Sequence, residues 1–291
     1  MNSENSTVCF LVINRIQELP NISIQSVLDS TNSQIHIGYL NKQDTTGLPE
    51  SERIRYIPLE NNNKEADKID SGVYQDFSTD SFYRIVQYKW QLITKVLSLG
   101  YKFVIYSDTD IYWNLNPVPE LERTFELRPK SHILIQSFTD ELSDPKLCMG
   151  FVAFRNSVTV QEFIEKCALR HGELASQNPR VGDDDVVTLM YRELDFPNWL
   201  TELPQTTFPV GRMLKLYRRS SLMPGFSSPT PFIFHANYVV GLQNKRLLIK
   251  LFIRNYSIRD RKHNLGIRFW IILNVKRLRH TVRLCRNFLN L

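Results

Sequence analysis

Cysteine is scarce: the 291-residue chain has four, at Cys9, Cys148, Cys167 and Cys285, with no short spacing between any two. That pattern argues against a disulfide framework or a thiolate zinc site and suits a reducing compartment. No uninterrupted run of 18 apolar residues occurs, so no spanning helix is expected. Residues Met1–Thr7 are polar and lack the basic and apolar regions of a secretory signal. A cytoplasmic protein is therefore expected, with a peripheral place on the inner face of a membrane as its other setting. Internal repeats and low-complexity tracts are also missing. Acids are nearly absent from one end: Arg246–Leu291 carries 12 Lys+Arg and a single acid, Asp260. The net charge of +6 belongs to that end, and the rest of the chain is slightly acidic. The body of the protein is thus not built to bind nucleic acid, and the basic end calls for an anionic partner such as a membrane surface.

What remains is the composition of an ordinary globular protein, 42% hydrophobic and 23% charged, long enough for one large domain or two small ones. Val8–Asn14 reads as a buried strand, and Ile35–Leu40 and Ile54–Pro58 as the next two, with polar, turn-rich pieces between them. Phe82–Leu99 has helical spacing of apolar residues and a stop at Gly100. It feeds a strand at Phe103–Ser107. Ile133–Gln136 and Phe151–Phe154 read as later strands, Thr159–Leu169 and Asp184–Leu194 as helices, and Phe232–Phe234 as a last short strand. Pro197–Pro231 reads as loop with short strands. Strands alternating with helices predict an α/β fold with a mostly parallel central sheet flanked by helices.

The chemistry concentrates where strands end. Phe103-Val104-Ile105-Tyr106 stops at Ser107-Asp108-Thr109-Asp110. In extended backbone residues i and i+2 point the same way, so Asp108 and Asp110 can share one hard cation at the edge where open α/β sheets bind ligands. An Asp-rich turn is the plainer alternative. Phe232-Ile233-Phe234 likewise presents His235, with Asn237 expected on the same side. An imidazole beside two carboxylates suits manganese better than magnesium, although a satisfied core histidine would look the same. Gly241 permits close backbone approach, and Lys245 can meet a phosphate as a point charge. Gly182-Asp183-Asp184-Asp185 holds more acids than a helix N-terminus needs. Gly150, between bulky neighbours, marks either close approach to a ligand or a strand-entry turn. Lys89 falls among apolar positions of its helix, where it either snorkels outward or reaches a nucleotide.

Taken in order, Tyr106-Ser107-Asp108-Thr109-Asp110, Gly150-Phe151, Gly182-Asp183-Asp184-Asp185 and His235-Ala236-Asn237…Gly241…Lys245 resemble the metal-dependent glycosyltransferases of GT-A fold. The likeness is to the nucleotide-diphospho-sugar transferases of family 77, related to the family 8 glycogenin and galactosyltransferase group, and it covers roughly Val8 to Leu251. The resemblance implies a catalytic domain over residues 1–251, a UDP-sugar donor, and Mn²⁺ or Mg²⁺ held by Asp108, Asp110 and His235. It also implies donor contacts from Asp108, Lys89, Asn237, Gly241, Lys245 and Gly150, and catalytic roles for Asp183, Asp184 and Lys245. Lys245 would meet the leaving diphosphate. Asp183-Asp184 matches an Asp-Gln pair beside the donor sugar, so this chain has a carboxyl group where the family usually has an amide. A hexosyl- or pentosyltransferase acting with retention on a glycan or lipid-linked acceptor is implied.

Residues 252–291 read as a basic helical tail. Ile267, Trp270, Ile271, Val275, Leu278, Val282, Cys285 and Leu289 share a helical face and arginines crowd elsewhere, as in an interfacial membrane helix or one docked on the domain. Three rival functions can be weighed. A haloacid-dehalogenase-type phosphohydrolase shares the Asp-x-Asp but carries it after the first strand. A nucleotidyltransferase needs a Gly-rich basic loop that Asn14–Leu19 lacks. An inactive glycan-binding relative would not need the acidic pair and His235.

Overall fold

The computed structural model describes residues 6–13, 18–60, 79–138, 146–193, 199–211, 230–237 and 239–256. The strands are β1 (Ser6–Leu11), β2 (Gln34–Tyr39), β3 (Ile54–Pro58), β4 (Phe103–Ser107), β5 (Ile111–Trp113), β6 (Ile133–Ser137), β7 (Leu147–Arg155), β8 (Leu200–Glu202) and β9 (Ile233–His235). The helices are α1 (Glu18–Ser30), α2 (Asp80–Val86), α3 (Tyr88–Leu97), α4 (Val118–Leu127), α5 (Val158–Gln177), α6 (Asp183–Glu193) and α7 (Leu242–Tyr256).

Seven strands form one sheet in the order β3-β2-β1-β4-β7-β6-β8, and β5 pairs with β9 in a small second sheet. The pairs β1–β2, β2–β3, β1–β4 and β6–β8 are parallel, while β7 runs antiparallel to both β4 and β6. One reversed strand therefore interrupts an otherwise parallel sheet, and the expected α/β architecture is present. Both faces of the sheet are covered, which is why the central strands read as continuous apolar runs. Alternation along β1 sends Cys9 and Leu11 into the core under α3, α5 and α6, and Val8 and Phe10 into the core under α1 and α4.

The order reverses at β1: the chain first builds outward to β2 and β3, then returns to lay β4 on the other side. Such a switch point leaves a crevice at the carboxyl ends of β1 and β4. The acidic pair follows β4 directly and so lies at that crevice. A third apolar cluster joins α7 to this edge, where Ile249 and Phe252 pack with Leu19, Phe234 and Ala236, and the rings of Phe234 and Phe252 stack at 4.5 Å. That packing holds Lys245, on the first turn of α7, over the same crevice. The helix continues through residue 252 to Tyr256 without a break. The tail from Ile267 onward lies outside the described residues.

Two sequence expectations change. The single helix expected at Phe82–Leu99 is two, α2 and α3, meeting at Gln87. The polar stretch after β1 contains a full helix, α1, and another helix, α4, follows Pro117.

Candidate active site at the switch point

Asp108 and Asp110 do face one another's territory, but a turn brings them there and not extended backbone. The amide of Ile111 donates to Asp108 O at 3.3 Å, and the amide of Asp108 donates to Gly150 O at 2.7 Å. His235 arrives from β9, whose pairing with β5 sets Ile111 opposite His235. The amide of Ala236 donates to Asp110 O at 3.0 Å and locks the two segments together. Nε2 of His235 then lies 3.2 Å from Oδ1 of Asp110 and 3.9 Å from Oδ2 of Asp108. One ligand atom from each of Asp108, Asp110 and His235 falls within 4.8 Å of the others, the only such His/Cys/Asp/Glu group among the described residues.

Gly150 makes that convergence sterically feasible. A β-carbon at this position would overlap Cε1 of His235, and would lie 2.8 Å from its Nε2 and 2.9 Å from Oδ2 of Asp108. Glycine here is a requirement of close approach and not of φ. Gly241 has φ 93°, the left-handed region that favours glycine, and its carbonyl accepts from the amides of Asn244 and Lys245 as α7 begins.

Two lysines serve four carboxyl groups. Lys89 neither snorkels nor stays free: it is buried, with Nζ 3.0 Å from Oδ1 of Asp108, 2.5 Å from Oδ2 of Asp183 and 5.0 Å from the centre of the Tyr106 ring. Burial works against its charge, but Asp108 and Asp183 outweigh burial and hold the ammonium protonated. Lys245 places Nζ 2.6 Å from Oδ2 of Asp110. Burial also opposes the charge of Asp110, yet Lys245 and His235 prevail and keep its carboxyl far below the usual carboxylate range. Asp108 goes the other way: burial raises its pKa, Lys89 offsets part of this, and the neighbouring Asp110 adds to it.

The three successive aspartates at the start of α6 have three different tasks. Asp183 pairs with Lys89. Oδ1 of Asp184 accepts from the amide of Met149 at 2.6 Å and so ties α6 to β7. Oδ2 of Asp185 accepts from the amide of Gly182 at 3.1 Å, an ordinary cap of its own helix. Burial, reinforced by the charge of Asp183, lifts the Asp184 carboxyl well above its usual range. Asn237 braces a neighbouring loop: its Oδ1 accepts from the amide of Gly211 at 2.7 Å and its Nδ2 lies 3.7 Å from Sγ of Cys148.

Two residues of the site escaped the sequence reading. The hydroxyl of Tyr106 donates to Oδ1 of Asp108 at 2.9 Å. Gln136 reaches Nδ1 of His235 at 2.9 Å. A polar residue closing an apolar strand was the available signal for both.

A cavity of 150 Å³ opens between the end of β1 and α7, lined by Val12, Phe82, Lys89, Asp108, Asp110 and Lys245 among others. A larger groove of 590 Å³ runs between α3 and α5 and contains none of the site residues. The donor set fits a divalent cation: two carboxylates and an imidazole converge, Gly150 leaves room, and four carboxyl groups face only two lysines.

Fold and site together define an α/β protein with an acidic, cation-ready centre at a sheet switch point. The family follows from the sequence match: residues 53–249 fit the family model described as nucleotide-diphospho-sugar transferase, and the chain belongs to that family. It is a glycosyltransferase of GT-A fold, so the phosphohydrolase and nucleotidyltransferase readings give way. No curated protein sequence matches the chain significantly. Among solved structures, the glycosyltransferase GlyE of Streptococcus pneumoniae TIGR4 superposes with a TM-score of 0.52 at 13% identity, over 90% of this chain and 63% of that one. The galactosyltransferase LgtC, solved with donor and acceptor sugar analogues, gives 0.50 at 13% identity over 79% and 86%. An active-site mutant of LgtC gives 0.52 at 11% identity over 84% and 94%. These likenesses concern the fold.

Proposed function

We propose that the protein transfers a sugar from a UDP-sugar to a glycan or lipid-linked acceptor, with Asp108, Asp110 and His235 holding Mn²⁺ or Mg²⁺. The observation that carries this reading is the convergence of those three side chains within 4.8 Å at the sheet switch point. A divalent ion there supplies Lewis-acid neutralisation of the diphosphate as it departs. Lys245, at the start of α7, offers its ammonium to the same leaving group, Gly241 lets backbone approach it, and Gly150 makes room for His235 and Asp108 beside the donor. Lys89, Asp183 and Asp184, gathered beside Asp108, are assigned to the donor-sugar side of the site. The Asp184 carboxyl, raised by burial, serves there as a hydrogen-bonding group beside the reacting ring. The family likeness supports retention of anomeric configuration and a hexosyl or pentosyl donor.

The basic sequence beyond Tyr256 supports attachment to an anionic membrane surface, close to a lipid-linked acceptor. Among the described residues no helix is long and apolar enough to cross a membrane. Co-sedimentation with anionic vesicles should be lost when the chain ends at Tyr256, and equal binding by both lengths would remove the idea.

A panel of UDP-sugars tests the catalytic reading. One of them should give Mn²⁺-dependent UDP release that rises with a suitable glycan acceptor and disappears in Asp110→Ala. Full activity in that variant would refute the metal site.

A further inference from the structure

The imidazole of His235 is offered to the site with a fixed tautomer, and the group that fixes it lies on another strand. Pairing between β6 and β7 slips at one point: Ile135 faces Val152, but Gln136 faces Cys148, so Met149, Gly150 and Phe151 are extra on β7. Bulges re-aim side chains next to functional sites. Here Gln136 is fully buried with its carboxamide directed at His235.

Both ends of that amide are determined. Its Nε2 donates to the backbone carbonyl of Phe208 at 3.0 Å and is 3.4 Å from that of Pro209. Carbonyls only accept, so the nitrogen must face them and Oε1 must face His235. Oε1 is 2.9 Å from Nδ1 of His235 and carries no hydrogen, so Nδ1 must donate. A neutral His235 then holds its hydrogen on Nδ1 and keeps the lone pair on Nε2. Nε2 is the atom turned toward Asp110 and Asp108. The same loop supports the histidine backbone, since the amide of His235 donates to Pro209 O at 3.2 Å. Cys148 Sγ, 3.8 Å from Nδ1, is too distant and too weak an acceptor to set the tautomer alone.

We propose that Gln136 is the positioning residue that selects the metal-binding tautomer of His235, a role that rests on the metal site proposed above. Ligating histidines depend on such partners, and their loss typically weakens metal affinity by about ten- to a hundredfold.

Two measurements on the full chain test this. Long-range ¹H–¹⁵N spectra of metal-free protein, with the His235 resonance assigned through His235→Gln, should show a hydrogen on Nδ1 of His235. Titration with Mn²⁺ followed by electron paramagnetic resonance should then show Gln136→Met binding about ten- to a hundredfold more weakly, with unchanged far-ultraviolet circular dichroism. Gln136→Glu keeps an acceptor toward Nδ1 and should remain within a few-fold of wild type. Should Gln136→Met not fold, the wild-type spectrum still decides. An Nδ1 of His235 that carries no hydrogen in the wild type, or wild-type Mn²⁺ affinity in a folded Gln136→Met, would overturn the role. Absence of Mn²⁺ binding by the wild-type protein would instead remove the metal site, and this role with it, whatever the tautomer.

Discussion

Nζ of Lys245 lies 2.6 Å from Oδ2 of Asp110, while Oδ1 of the same carboxylate faces Nε2 of His235 at 3.2 Å. The lysine assigned to the diphosphate thus already neutralises a carboxylate assigned to the metal. In the proposed site a divalent cation and Lys245 would compete for the same charge, and a diphosphate would compete for Lys245. Lys245→Met should therefore bind Mn²⁺ several-fold more tightly than wild type without nucleotide. It should bind UDP with Mn²⁺ about ten- to a hundredfold more weakly, the worth of one charge-assisted hydrogen bond. Paired calorimetric titrations check both directions. Equal Mn²⁺ affinity in the two proteins would show that the pair does not compete with the cation.

Gly150→Ala places a methyl group inside the contact between His235 and Asp108. The histidine must move, since the glycine is on a central strand. Mn²⁺ affinity should fall at least tenfold, with a stability loss of about 1–3 kcal/mol, the usual range for overpacking. Urea unfolding and Mn²⁺ titration measure the two effects separately. Unchanged Mn²⁺ binding would mean that His235 is not a ligand.

Buried Lys89 binds two acids from separate segments, the half-buried Asp108 in the turn after β4 and the buried Asp183 at the start of α6. Lys89→Met strands Asp108 and Asp183 without their partner and should cost about 3–5 kcal/mol. Lys89→Met with Asp183→Asn removes one orphaned charge as well, so the double variant should be more stable than Lys89→Met alone. Denaturant midpoints decide this, and an additive outcome would deny the coupling.

His36 on β2 is buried, its Nε2 3.2 Å from the Tyr101 hydroxyl and its Nδ1 without a partner. Burial, assisted by Arg55, lowers its pKa to about 4. A lowered folded-state value means the native protein resists protonation there. The stability it confers is complete above the unfolded value near 6.5 and is lost as pH falls from about 6.5 toward 4. Between pH 7.5 and 4.5 this one group should remove about 2–3 kcal/mol. His36→Gln keeps a polar partner for Tyr101 and does not titrate, so its urea midpoint should fall less over the same interval. Parallel acid dependence in both proteins would rule His36 out.

Where the sequence was legible, local chemistry dictated the outcome. The run Phe103–Tyr106 ending in two acids reads as a buried strand, which β4 is, and His235 closes a second apolar strand in the same way. Helix α1 was hidden because its buried face carries Ser23 and Ser26. Ser23 donates to Ile111 O at 2.5 Å, and Ser26 Oγ accepts from the amide of Trp113 at 3.0 Å. Polar residues satisfied across 80 or more positions of sequence break the hydrophobic period that marks a helix. In α4 only Leu121 and Phe125 are buried, too few to stand out. Lys89 was visible as an anomaly, but its partner Asp183 lies 94 residues away. Gln136 depends on a register slip that no local pattern announces.

The central claim is that Asp108, Asp110 and His235 form one cation site that serves a nucleotide diphosphate. Calorimetry of Mn²⁺ with UDP on wild-type protein and on Asp110→Ala tests it most directly. Wild type should bind Mn²⁺ and UDP cooperatively, and Asp110→Ala should lose the Mn²⁺-dependent part of UDP affinity while remaining folded. UDP binding that ignores Mn²⁺ in wild type, or that survives unchanged in Asp110→Ala, would contradict it.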